Sequence, residues 1–146
     1  MDTMSLRERF AGARVGYALL AALLVGLLLT GCAAVEKDRR ALSLDSSARA
    51  YLAALRWSDF EGATAFLPPE MRPQNELPPM FNDLRITRFE ILRPPVMLTD
   101  TQATQVVAIE YLYEYNQIVR RITDRQSWRW DEEAQAWWLE SGLPEF

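Results

Sequence analysis

The residues that could do chemistry in this 146-residue chain are few, because it contains no histidine. That removes the usual general base near neutral pH, the commonest metal ligand, and every nucleophile that relies on an imidazole partner. Carboxylate chemistry is left. Asp124, with Tyr111 or Tyr113 on the same strand face, is the one combination that imitates a carboxylate base beside phenolic donors. Arg120, four residues before Asp124, supports a structural alternative in which the two pair or simply face water. Trp128 extends the tyrosine stripe, and a stripe at strand period is a core first and a ligand box second. If a pocket exists among Tyr111, Tyr113 and Trp128, then Arg120, Asp124 and Gln126 would supply its polar groups. No phosphate-cradling loop occurs, since only Gly62 and Gly142 follow Gly31. A zinc site would need carboxylates alone, so no metal is expected.

The single cysteine, Cys32, closes the run Leu29-Thr30-Gly31-Cys32. An apolar stretch from Val15 to Leu29 precedes it, and Arg7, Arg9 and Arg14 come before that. A basic start, an apolar middle and a small-residue exit follow the plan of a secretory signal peptide. The apolar stretch is also shorter than the roughly 20 residues a membrane span needs. These four residues are similar to the lipobox of bacterial lipoproteins. The resemblance implies cleavage between Gly31 and Cys32, with a diacylglycerol and an N-acyl chain on Cys32 and no other cofactor. It also implies the periplasmic face of the outer membrane, because Ala33, rather than the Asp that retains lipoproteins at the inner membrane, follows the cysteine.

Three segments are therefore expected: a signal peptide over 1–31, a tether over 32–42 and one domain over 43–146. Removing the first takes away three arginines and two acids, so the net charge moves from −4 to −5. Such a domain has no electrostatic footprint for nucleic acid. Its expected partners are the membrane, through the acyl chains, and a protein of the envelope. No disulfide can form within the chain, but a domain of this length can build its own core.

The tether reading rests on Glu36, Lys37, Asp38, Arg39 and Arg40, which mix both signs without apolar periodicity. Asp45, Ser46 and Ser47 offer N-caps, and Ala48, Tyr51, Leu52 and Leu55 then share one helical face, with Trp57 at its end. Ser58-Asp59-Phe60-Glu61 has the spacing of a capping box for a second helix that buries Phe60, Ala63, Phe66 and Leu67 and stops at Pro68-Pro69. A Pro-rich loop fills 70–79, and a helical turn over 79–84 would turn Met80, Phe81 and Leu84 inward.

From Arg85 the period becomes two. Thr87, Phe89 and Ile91 line one side of a strand that Pro94-Pro95 is expected to end. A strand over 104–115 puts Val107, Ile109, Tyr111, Tyr113 and Tyr115 on one face. A turn at Asn116-Gln117 pairing Tyr115 with Ile118 sets Glu110 opposite Thr123 and diagonal to Arg121 and Arg125. Ile118, Arg120, Ile122, Asp124, Gln126 and Trp128 then join the tyrosine face, and the Glu110 side is the wet one. In the last hairpin Trp130 pairs with Trp137, Trp128 with Leu139, and Arg129 with Trp138, in reach of a cation–π contact.

Helices followed by long antiparallel strands read as α+β, with the helices packed on one face of a curved sheet. Tyr51-Leu52-Ala53-Ala54-Leu55, Trp57 through Ala63, and Trp128-Arg129-Trp130-Asp131 with Trp137-Trp138-Leu139 carry a resemblance. The domain over roughly 44–142 resembles the nuclear transport factor 2-like, or SnoaL-like, superfamily. The resemblance implies a cone with an apolar pocket between helices and sheet, used for ligands, for catalysis or for association. No stretch matches the catalytic motif of the family's steroid-isomerising enzymes, so no catalytic residue is carried over. The function expected is non-catalytic binding or scaffolding in the periplasm, and the alternative is a small pocket enzyme or a carrier for an apolar ligand.

Overall fold

The computed structural model describes residues 35–146, so Gly31, Cys32 and the signal segment lie outside the described residues. The chain divides into two compact units at Arg39/Arg40. Of the first unit the described residues, 35–39, are helical. The second unit opens with α1 over residues 40–56. Residues 35–42 were expected as tether; helix takes their place, and Arg40 shows why within its own unit. Its guanidinium pairs with Glu132 at 2.8 Å and lies 5.3 Å from the Trp130 ring, and its carbonyl accepts the Trp137 indole N–H at 3.0 Å. Asp45, Ser46 and Ser47 consequently sit inside the helix rather than at its start, and Asp45 pairs with Arg49 one turn on, at 2.8 Å.

The buried face of α1 is the expected one: Ala48, Tyr51, Leu52 and Leu55 all lie in the core. The helix ends in a Schellman arrangement, with Asp59 N–H on the Ala54 carbonyl and Ser58 N–H on that of Leu55, both at 2.9 Å. Ser58 takes the left-handed position usually given to glycine, with φ +57°. Its hydroxyl donates to the Leu84 carbonyl at 3.2 Å, so it is not the cap of α2 (Phe60–Thr64). That cap is Asp59, one residue later than the capping-box spacing implies, with Oδ1 accepting the Gly62 N–H at 2.8 Å. Short 3₁₀ turns at Pro69–Met71 and Pro79–Phe81 punctuate the Pro-rich stretch. Phe81 packs on the core and Leu84 is buried, but Met80 faces out.

Four strands form one antiparallel sheet in sequence order: β1 (Leu84–Met97), β2 (Gln102–Tyr113), β3 (Arg120–Asp131) and β4 (Ala136–Leu139). β1 runs through Pro94-Pro95, which were expected to end it. It is an edge strand, where a missing N–H costs no ladder bond, and its register shifts on both sides of Arg93 absorb the prolines. A further shift after Ile86 puts Thr87 out of the ladder, so Ile86, Phe89 and Ile91 share the partnered face instead. Ile109, Tyr111, Tyr113 and Val107 of β2 are buried toward the helices, while Tyr115 lies beyond the strand and is exposed.

The β2–β3 register sits two residues from the expected one. Tyr111 pairs with Arg120, and Glu110 lies directly opposite Arg121 instead of Thr123. An even shift keeps the faces. Arg121 bonds both Glu110, at 3.0 Å, and Glu90 of β1, while Arg85 holds Glu114 at 2.8 Å. Yet this outer side is not uniformly wet: Val106 and Ala108 are buried on it. Val106 lies between Arg93 and Arg125 in the ladder, and Ala108 between Glu90 and Thr123. The last hairpin has the expected pairs. Arg129, however, bonds Glu140 at 2.6 Å, and the guanidinium over Trp138 is that of Arg72, 5.2 Å from the ring.

Candidate functional site

The residues singled out as a possible pocket separate into three environments. Trp128, Tyr111 and Tyr113 are core residues, with 1%, 4% and 6% of their surfaces exposed. Tyr111 is packed by rings on two sides, Phe146 at 5.2 Å and Tyr113 at 5.9 Å. Phe146 in turn touches Phe60 and Phe81, so aromatic side chains fill the space inside the sheet at this end. Arg120 is exposed, opposite Tyr111 in the ladder and near enough to Tyr113 for its charge to act on that phenol. Asp124 is half-buried, four residues further along the same face of β3. Arg120 and Asp124 do not form an ion pair.

Asp124 Oδ2 accepts the Gln126 side-chain N–H at 2.8 Å. Burial pushes its carboxyl above the ordinary carboxylate range, and the Gln126 bond works against that shift. The carboxylate lines a groove of about 430 Å³ between β3 and the C-terminal stretch, with Ile122, Arg125, Ser141, Leu143 and Pro144 around it. A carboxylate in such a position can accept a proton from a bound group. No tyrosine hydroxyl among the described residues bonds it directly.

A larger cleft, about 740 Å³, lies where α1 ends and α2 begins. Phe60, Leu77, Phe81 and Ile86 line it together with the polar side chains of Arg56, Ser58, Asp59, Glu61, Glu76, Asn82 and Arg85, and its surface is mainly polar. Trp57 stands over it with 82% of its surface exposed. A tryptophan is normally the most buried part of its neighbourhood. The left-handed Ser58 explains the exception, because it turns the chain sharply at the helix end and leaves the preceding indole outside the core. Trp57 was read as the last helical residue, which it flanks; its exposure had no signal in the pattern. The Schellman geometry that creates it depends on Ser58 doing what glycine usually does.

Beneath the sheet interior, Gln105 and Gln126 face one another across β2 and β3, each buried to 1% or less. Among the described residues, the side-chain oxygens of both, the Tyr51 hydroxyl and the Trp128 indole N–H have no hydrogen-bond partner. Gln126 was foreseen as an inward polar residue. Gln105 was not, although its place two residues before Val107 on the apolar face was the available signal. Among the described residues no cluster of three or more His, Cys, Asp or Glu side chains could hold a metal ion. No helix of the described residues is long and apolar enough to cross a membrane.

No family model and no curated protein matches the chain. Among solved structures it is similar to a ketosteroid isomerase-like protein from Erwinia carotovora atroseptica SCRI1043, with 16% sequence identity and a TM-score of 0.49, over 67% of this chain and 88% of that one.

Proposed function

We propose that this chain is a lipid-anchored envelope lipoprotein whose periplasmic α+β domain, of the nuclear transport factor 2-like kind, binds a partner rather than catalyses a reaction. The anchor is Cys32, processed after Gly31 and carrying a diacylglycerol and an N-acyl chain, with Ala33 directing the protein to the periplasmic face of the outer membrane. Each buried methylene contributes about 0.8 kcal/mol, so three chains hold where one myristoyl would exchange. What supports a binding domain is one observation: the exposed Trp57 at a mainly polar cleft whose lining includes the charged Arg56, Glu61 and Glu76. Tryptophan and arginine concentrate binding energy at protein interfaces, and a charged rim selects and orients what docks. The lack of any histidine supports the non-catalytic side of the reading.

A small pocket enzyme or carrier for an apolar ligand is the second reading, and the raised carboxyl of Asp124 in its groove is what favours it. The filled aromatic interior around Tyr111 and Phe146 weighs against a large apolar ligand there. Metabolic labelling with palmitate tests the anchor: wild-type chain should be labelled and Cys32→Ser should not. Label on Cys32→Ser, or its continued cleavage after Gly31, would refute the anchor.

A further inference from the structure

The edge of β3 that faces away from β2 is covered for only part of its length. β4 pairs with β3 over residues 128–131. Glu140 N–H carries the ladder on to the Ser127 carbonyl at 2.8 Å, and the Ser141 hydroxyl accepts the Ser127 N–H at 3.3 Å. Gly142 then takes φ +80°, a left-handed turn that suits glycine, and Leu143 and Phe146 beyond it pack against the core. No strand among the described residues pairs with residues 121–125 on that side.

The alternation of the ladder says which groups this leaves open. Trp130 N–H points toward β2, where it bonds the Thr101 carbonyl at 2.8 Å, whereas the main chain of Ser127 points toward β4. The β2–β3 register runs from the Tyr111–Arg120 pair to the Gln102–Arg129 pair without a shift. The N–H and C=O groups of Arg121, Thr123 and Arg125 therefore point away from β2, as those of Ser127 do. They face the groove of about 430 Å³ whose far wall is Ser141, Leu143, Pro144 and Glu145. Both faces of β3 build its near wall, Ile122 and Asp124 from the inward side and Thr123 and Arg125 from the outward one, so the groove runs along the strand's edge. Among the described residues no main-chain hydrogen bond crosses it. The edge of β1 offers no such template, because repeated register shifts and Pro94-Pro95 interrupt its row of N–H groups, which is how natural sheets blunt an edge.

We propose that residues 121–125 of β3 take an extended peptide segment of a partner protein as an added antiparallel strand, in line with β4. Such a segment presents a donor and an acceptor at every second residue, which is the spacing of the open groups. Its side chains are also constrained. On the outer face Arg121 and Arg129 hold carboxylates, while the exposed Arg125 between them has none among the described residues, so an acidic side chain opposite it is favoured. On the inward face the segment meets the Asp124 carboxyl and then Ile122, which call for a hydrogen-bond donor and an apolar side chain in turn. This groove shares no lining residue with the Trp57 cleft and makes no use of the lipid anchor, so either can fail without it.

The probe is a blocked peptide, Glu-Ser-Thr-Ile-Thr, written in the direction of β4 with its glutamate opposite Arg125. Amide hydrogen exchange is followed by NMR on the full-length ¹⁵N-labelled chain in detergent micelles. The peptide at millimolar concentration should slow exchange at Arg121, Thr123 and Arg125 about tenfold, and leave Ile122 and Asp124, whose amides face β2, unchanged. N-methylation of its central threonine, which faces β3, should abolish the effect, and N-methylation of its isoleucine, which faces away, should not. Arg125→Glu should weaken the peptide about fivefold and favour the same peptide with lysine in place of glutamate. No slowing at the three amides, equal effects of the two methylations, or an unchanged preference in Arg125→Glu would overturn the proposal. So would slowing that appears on raising the protein concentration alone, which would assign the edge to a second copy of this chain.

Discussion

Asp124 is the residue on which the binding and enzymatic readings divide, and its carboxyl has a measurable signature. Burial raises its folded-state affinity for the proton above the unfolded value. Between those two values the folded chain holds more protons than the unfolded one, so stability falls as pH rises through that window. Above the window the buried charge is a standing cost. Asp124→Asn should therefore unfold at a higher temperature than wild type at pH 7, and the two should converge as pH drops below the ordinary carboxylate value of about 3.9. A variant that is less stable at pH 7 would mean that the carboxylate has a favourable partner in the fold. Gly62 offers a second test at this scale. A Cβ there would stand 2.1 Å from Asp59 Oδ2, so Gly62→Ala must displace the cap of α2. Chemical denaturation should show a loss of about 1 kcal/mol, although alanine in a helix normally gains over glycine. The inward placement of Asp124 was legible from alternation alone. Its bond to Gln126, two residues on along the same face, and the exposure of Trp57, set by the left-handed Ser58, were not, because alternation assigns a face but neither a side-chain bond nor a backbone turn.

The elements were legible where one physical signal dominated. The period of Ala48, Tyr51, Leu52 and Leu55 marks the buried face of α1, and the tryptophan pairs of the last hairpin admit one register. Reading failed where tertiary context decides. Pro94-Pro95 break a central strand but not an edge, and strand order sets which of these β1 is. The β2–β3 connection lacks an Asn-Gly turn; instead the Asn116 side chain accepts the Ile118 N–H at 3.2 Å and Gln117 turns left-handed at φ +55°. That longer loop moves the ladder by two residues. The faces survive, and mutational cost should report them. Tyr111→Ala, losing a ring packed by Tyr113 and Phe146, should cost about 3–5 kcal/mol in equilibrium unfolding. Glu110→Ala breaks a partly exposed contact to Arg121 and should cost under about 1 kcal/mol. A reversed order of the two costs would mean that the faces of β2 are inverted.

At the scale of the whole molecule, the domain carries an open cleft beside the exposed Trp57, and the proposed lipid anchor at Cys32 would hold that cleft near the membrane. The α+β class was legible from the switch of period at Arg85. The cleft was not, since its lining comes from separate stretches of chain, among them those of Phe60, Leu77, Phe81 and Ile86. The most direct test of the binding reading is a photo-crosslinking amino acid placed at Trp57 in the lipidated protein within intact envelopes. Leu42 and Leu98, exposed apolar residues away from the cleft lining, are the reference positions. The account expects one discrete adduct from position 57 that is absent from the other two. No adduct at 57, or the same adducts from all three positions, would contradict it.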